Sequence, residues 1–321
     1  MSPLFRRRSE EEVQAAQQRS DAAERAAQRA ADSLALIEAG HIPLVAAERL
    51  GRFASREEPG EHAPAPFSSD LRVSEWSALA RLGVTPLTQV MGSSIYHVGW
   101  QPTYYNVPTE VRVLSDAYNE SRRLALGRLL EEARTCGADA VLGVRIDQGA
   151  HDWAPSAIEF IALGTAVRLA PAMREDGAST VLSDLDGQEF VQLCQAGVRP
   201  VGIAAHTSVH YVPASGQTQM AQSGWGSSWA NQELVDFSQG VYEAREKAMG
   251  FVTSQVIELG GDGVVGVELR EHSRTHEVRR GLTDSRDLEV TFHAIGTVVR
   301  EDPTLAAAAA QPPPLKILSM S

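Results

Sequence analysis

The stretch GADAVLGVRI occupies residues 137–146, and GGDGVVGVEL occupies residues 260–269, 123 positions later. In both, a glycine ends a helical pattern, an aspartate follows it by two residues, and an apolar run comes next. Glycine takes the left-handed conformation that closes a helix, and aspartate suits the tight turn after it. Val141–Leu142–Gly143–Val144 and Val264–Val265–Gly266–Val267 are apolar on both sides. Such runs read as central strands buried on both faces.

The likeness extends outward in ordered blocks. Residues 69–98 match 183–212 at an offset of 114, with 10 identities in 30 positions, among them Ser69/Ser183, Asp70/Asp184, Glu75/Glu189, Gly83/Gly197 and Pro86/Pro200. Glu120, Arg122, Ala125 and Gly127 match Glu243, Arg245, Ala248 and Gly250 at an offset of 123; ALGTAVR at 162–168 matches AIGTVVR at 294–300 at an offset of 132. Three ordered blocks with two nine-residue insertions in the second copy are the mark of an internal duplication. Each copy reads as a short helix (74–82, 187–196), a strand, a variable loop, a main helix (115–136, 234–259), the apolar strand, and a returning strand across a hairpin. Trp76 and Leu79, repeated as Phe190 and Leu193, form the apolar stripe of the short helix.

The fold class is therefore α+β: two tandem small β-α-β-β domains, each with an extra short N-terminal helix, preceded by a helical N-terminal segment. The expected boundaries are a helical segment over 1–55, a linker over 56–68, the first domain over 69–170, a linker over 171–182, the second domain over 183–301, and a disordered, Pro-rich tail over 302–321. A sheet of three strands with one helix leaves a face to be covered. Copy against copy, or chain against chain, supplies the cover.

Composition narrows the function classes. A net charge of −12 over 321 residues repels a polyanion, which argues against nucleic-acid binding. Arg6–Arg8, the one basic run, reads as an exposed tail. Two cysteines without a C-x-x-C spacing offer no thiol zinc site and fit a reducing cytoplasm. No apolar run reaches the roughly 18–20 residues that span a bilayer, and the N-terminus has no secretory h-region. Segment 9–39 is helical, with Val13, Ala16, Ser20, Ala23, Ala27, Ala30, Leu34 and Ile37 spaced for a coiled coil or a docking helix. HIPLVAAERLGRF at 41–53 adds a second short helix.

Candidate metal ligands come in two pairs. His206 and His210 lie on an expected strand, where four residues span about 13 Å, too far for one ion with bonds of about 2 Å. His272 and His276 fall in a charged hairpin with Glu271 and Glu277; a turn there would bring both imidazoles to a divalent transition metal. Two aromatic loops stand out. Residues 99–108 carry Trp100, Tyr104 and Tyr105, and residues 213–233 carry Trp225 and Trp229. Aromatic loops on rigid units suit either recognition or packing on a neighbouring subunit. The recurring Glu120-x-Arg122 and Glu243-x-Arg245 read as salt bridges. No nucleophile–base–orienter set repeats, and GWGSSW at 224–229 lacks the lysine of a phosphate loop, so no enzyme is expected.

EARTCGADAVLGVRID at 132–147 with ALGTAVR, and EAREKAMGFVTSQVIELGGDGVVGVEL at 243–269 with AIGTVVR, resemble the YbjQ-like family over roughly 84–169 and 198–300. The resemblance implies dodecin-like small α/β units that assemble into rings, pentameric in the family, and a heavy-metal-binding description with no ligand motif to carry across. Together these readings predict a cytoplasmic, non-enzymatic, ring- or shell-forming binding or scaffold protein that self-associates through its sheets. A small-ligand-sensing module using the aromatic loops and an enzyme with an inter-subunit site are the alternatives.

Overall fold

A computed structural model describes residues 10–54, 68–102, 104–151, 154–175, 177–222, 231–280 and 283–310. Two N-terminal helices, α1 (Glu10–Glu38) and α2 (Leu44–Ala54), precede the first half. That half holds α3 (Val73–Arg81), β1 (Thr85–His97), β2 (Thr109–Glu110), α4 (Arg112–Thr135), β3 (Ala140–His151) and β4 (Ala154–Arg168). After a 3-10 turn at Pro171–Met173 come β5 (Val181–Leu182), α5 (Gly187–Gln195), β6 (Val198–Val212), α6 (Gly216–Gln222), α7 (Val235–Glu258), β7 (Gly263–Arg280), β8 (Thr283–Glu301) and α8 (Pro303–Ala310).

The strands form two sheets, ordered β1-β4-β3-β5 and β2-β6-β8-β7. Their three long strands repeat one pattern. Gln89 pairs with Thr165 as Ile203 pairs with Thr297, and Leu142 pairs with Thr165 as Val265 pairs with Thr297. A bulge interrupts Leu142/Arg145 and Val265/Glu268 alike, with Gly143 and Gly266 at φ +62° and +64°. The glycine within the opening stretch is thus needed at a left-handed kink in the strand. Gly137 and Gly260 end α4 and α7 at φ +72° and +67°. Asp139 and Asp262 then accept the backbone N–H of Leu169 and Glu301, both at 2.8 Å, clamping the end of the returning strand.

The fourth strand of each sheet crosses the midline. β2, from the first half's loop, pairs with β6. β5, just ahead of α5, pairs in parallel with β3. One face of each sheet carries its main helix. Ala117, Ser121, Ala125, Leu129 and Ala133 recur every four residues along α4, and Gly240, Ala244, Ala248, Val252 and Val256 do the same along α7. The other face of the first sheet is sealed by Leu79 of α3, Phe190 and Cys194 of α5, Met173, and Leu305 of α8 over Ala140, Leu142 and Val167. Leu50 and Phe53 of α2 join the α4 core.

Several expectations are corrected. The tail is not wholly disordered: α8 forms because alanine has the highest helix propensity, Pro303 suits the first turn, and the Asp302 carboxylate accepts the N–H groups of Thr304 and Leu305. Residues 311–321 lie outside the described residues. The segment 171–182 is not a plain linker, since it supplies the 3-10 turn and β5. The loop 213–233 contains α6. The strand after the main helix is interior only in the first sheet, where β3 lies between β4 and β5; in the second, β7 is the edge. Val141, Leu142 and Val144 of β3 are buried because β5 and α5 cover them, whereas Val264, Val265 and Val267 of β7 are only half-buried at the sheet edge. Along its described length α1 exposes nearly every side chain, including Leu34 at 61%.

β1 crosses α4 at Gly92, where an added Cβ would stand 1.9 Å from the Ala125 carbonyl oxygen and 2.5 Å from the Leu129 nitrogen. Only glycine permits that approach, because both obstacles are backbone. Gly92→Ala is expected to destabilise the chain by about 1–3 kcal/mol, read as a lower urea midpoint with an unchanged denaturant slope.

Candidate functional site

The two halves meet where α4 lies along the outer edge of β6. β2 covers only two residues of that edge. Beyond it, the Asn119 side-chain amide donates to the Thr207 carbonyl and accepts from the Thr207 N–H, both at 2.9 Å. The Ser115 hydroxyl accepts the N–H of Val209 at 3.0 Å, and Val111 N–H donates to the Val209 carbonyl at 2.8 Å. Side chains of a helix thereby satisfy a strand edge that would otherwise be left open.

Arg122 is the charged centre of this seam. It is 5% exposed, donates from Nη1 to Thr207 Oγ1 at 2.6 Å, bonds Asn119 Oδ1 through Nη2, and stands over the Phe160 ring at 5.9 Å. No carboxylate pairs with it among the described residues, and burial pushes its pKa down to about 10. Thr207 Oγ1, which accepts from Arg122, also shares a hydrogen bond with His293 Nδ1, 2.8 Å away. Burial, then the charges of Arg122 and Arg270 and the neighbouring His272, hold His293 down to about 4. His206 stacks on Phe251 with ring centroids 4.0 Å apart, and burial with Arg122 and Lys247 holds it down to about 4 as well.

Two concavities flank the seam, and Arg122 lines both. A cavity of about 240 Å³ between the sheets is bordered by Arg122, Asp147, Phe160, Glu268, Arg270 and His293. An open cleft of about 1050 Å³ is bordered by Tyr96, Asp116, Glu120, Arg123, His206 and Glu258. His206 occupies the position that Gly92 holds in the first half.

A second buried network joins Tyr211, Asp287 and Arg280. Tyr211 Oη donates to Asp287 Oδ2 at 2.6 Å, and Arg280 grips both carboxylate oxygens at 2.7 and 2.6 Å. Burial alone would raise the Asp287 carboxyl, but the bonds from Arg280, Tyr211 and Ala214 N–H outweigh it and hold the group below the usual aspartate range.

The residues singled out from sequence are distributed differently. Tyr105 packs edge-to-face on Tyr211 at 5.3 Å, while Trp100 and Tyr104 are 87% and 53% exposed. Trp225 and Trp229 lie outside the described residues. His206 and His210 lie on β6 as expected, and His210 Nε2 is buried without a hydrogen-bond partner among the described residues. His272 and His276 are not in a turn. Both lie on β7, opposite Thr291 and Asp287, because the hairpin reverses only after Arg280. His276 Nε2 is 3.2 Å from Glu289. Among the described residues no three His, Cys, Asp or Glu side chains are grouped to hold a metal ion. Within the chain, among the described residues, the recurring Glu-x-Arg pairs do not bridge; Glu120 pairs with Arg123, and Arg245 with Glu246. Asn119, Thr207 and His293 were missed by sequence reasoning. Of the seam residues, Arg122 gave a signal through its recurrence as Arg245, and His206 was singled out only as a candidate metal ligand.

The two seam histidines set an acid sensitivity. Each is depressed from 6.5 to about 4, so the unfolded chain takes up protons that the folded chain refuses. Their contribution is fully present above pH 6.5 and is lost as pH falls towards 4. The urea midpoint is expected to drop over that window, and His293→Gln to flatten the drop.

Comparison with known proteins gives two kinds of relative. Residues 89–170 match the family model YbjQ_1, described as "Putative heavy-metal-binding". The encapsulin nanocompartment protein Rv1762c of Mycobacterium tuberculosis is 32% identical over 268 residues, covering 82% of this chain and 93% of that protein. Shorter matches include a UPF0145 protein of Fervidobacterium nodosum, 43% identical over 60 residues, 19% of this chain and 54% of that one. A UPF0145 protein of Thermus thermophilus is 44% identical over 63 residues, 20% and 54% of the two lengths. No helix among the described residues is long and apolar enough to cross a membrane. By its near full-length likeness the chain belongs to the same family as the Mycobacterium tuberculosis protein Rv1762c, and within it residues 89–170 match the YbjQ_1 model.

Proposed function

We propose that the protein is a non-catalytic, self-assembling binding or scaffold protein whose chains join into a ring or shell and serve an encapsulin-type nanocompartment in the cytoplasm. The observation that carries this reading is the unequal cover of the two sheets. β3 is sealed by β5 and α5, while β7, 18 residues long, lies at the edge of its sheet with most of its side chains exposed. Long open edges are uncommon in chains that stay single. The likeness to the nanocompartment protein adds support.

In this reading residues 69–170 and 183–301 are two tandem YbjQ-like domains, and α1 offers its exposed length to a coiled coil. A divalent transition metal would take imidazoles from several chains, with the exposed His272 the first candidate, rather than a ligand set from one. Native mass spectrometry of tag-free protein tests the whole: a discrete multimer is expected, with any bound metal read as added mass. A single chain at micromolar concentration would overturn the assembly.

A second reading, binding of a small anion, rests on Arg122, a buried cation with no ion pair among the described residues lining a cavity of about 240 Å³. Calorimetric titration with inorganic phosphate and sulfate is expected to give saturable heat that Arg122→Lys abolishes while the circular-dichroism spectrum is kept. Absence of saturable heat overturns this reading.

A further inference from the structure

The join between β3 and the segment ahead of α5 is written twice in the sequence and completed once in the chain. Val181 N–H donates to Asp139 O at 3.0 Å; Ser183 N–H donates to Val141 O, Val144 N–H to Ser183 O, and Gly143 N–H to Leu185 O, each at 2.9 Å. Through the offset of 123, the β3 groups correspond to Asp262 O, Val264 O, Gly266 N–H and Val267 N–H on β7. No backbone partner meets these four across the open edge among the described residues.

Through the offset of 114, Ser183 and Leu185 correspond to Ser69 and Leu71, which precede α3 as the former precede α5. Both segments sit alike on their own sheets: Asp184 N–H donates to Thr297 Oγ1 at 3.0 Å, and Asp70 N–H to Thr165 Oγ1 at 3.3 Å. The side chains that follow tell the same story. Phe190 of α5 is 2% exposed within the completed join, while its counterpart on α3, Trp76, is 45% exposed. Leu142 beneath Phe190 is fully buried; its counterpart on β7, Val265, is only half-buried.

We propose that a second copy of this chain completes the unfinished join: its Ser69–Leu71 segment adds to the edge of β7 as a short parallel strand, and its Trp76 packs over Val265. This rests on the self-assembly proposed above and names the surfaces that perform it. The occupant is a second copy because the donor segment in the chain itself is already tied to the first sheet, through Thr165 and through the ion pair of Asp70 with Arg145. The contact is head to tail, so repeating it closes a ring or continues as a helix according to its rotation.

Leu182 and Val141 face each other across the completed join; their counterparts are Ser68 and Val264. Chains carrying Ser68→Cys and chains carrying Val264→Cys are co-expressed and treated with a short bis-maleimide; the native Cys136 and Cys194 are both 0% exposed and stay silent. A covalent two-chain product is expected in the mixture and in neither variant alone. Trp76→Ala is expected to keep the circular-dichroism spectrum, abolish that product, and raise the concentration at which the multimer dissociates at least tenfold. A multimer by native mass spectrometry without the mixed cross-link overturns this edge and leaves self-assembly standing. Single chains only would overturn both. Amide protection at Gly266 and Val267 that vanishes when residues 311–321 are removed would assign the edge to the chain's own tail and overturn the proposal.

Discussion

The pair of hydrogen bonds between the Asn119 amide and the Thr207 backbone does for β6 what a neighbouring strand would do. An amide side chain carries one donor face and one acceptor face, so it can replace a strand residue at a single position. The device recurs inside the second half, where the Gln255 amide accepts from Ala205 N–H at 2.8 Å and donates to its carbonyl at 3.1 Å. The matching residue of the first half is Glu132, which accepts Met91 N–H at 2.8 Å but, ionised, has no proton to return. Burial raises its pKa, and Arg49 of α2 answers its charge at 3.4 Å. The carboxylate in place of an amide thus gives α2 a charged partner on the first half.

Setting Arg122 into this seam is costly, because burying a cation without a carboxylate forfeits its hydration. Three features offset the cost: the Thr207 hydroxyl, the Asn119 oxygen and the face of Phe160. Each comes from a different element, so the guanidinium is satisfied only when α4, β4 and β6 are all in place. Burial first, and then the same charge, lower the pKa values of the neighbouring imidazoles. The seam is therefore both a structural lock and a place where a buried cation sits beside imidazoles of lowered pKa.

Much of the secondary structure was legible because it rests on local rules. Helix-ending glycines, four-residue apolar spacing and the matched blocks place the main helices within a few residues of α4 and α7, and the repeated register of the sheets follows the same offsets. The midline crossings were not legible. β2 and β5 have two residues each, too few to show a period, and their role is set by what lies beside them. The doubly apolar run after each helix read correctly for β3 and misled for β7, for a related reason. Val141 and Val264 look alike in sequence, but one is covered by β5 and the other is at an edge. Arg122 and Arg245 illustrate the limit at the site: identical residues at matched positions, one sealed in the seam and the other bonded to Glu246 near solvent.

The parallel pairing of β5 with β3 carries a kinetic consequence. Its two partners belong to one polypeptide, so they meet at an effective concentration fixed by the intervening chain and unaffected by dilution. A linked pair of this kind keeps its mutual orientation at arbitrarily low protein levels. Duplication and fusion would in this way convert half of a cyclic assembly's contacts from bimolecular to unimolecular events, leaving fewer encounters to await a partner.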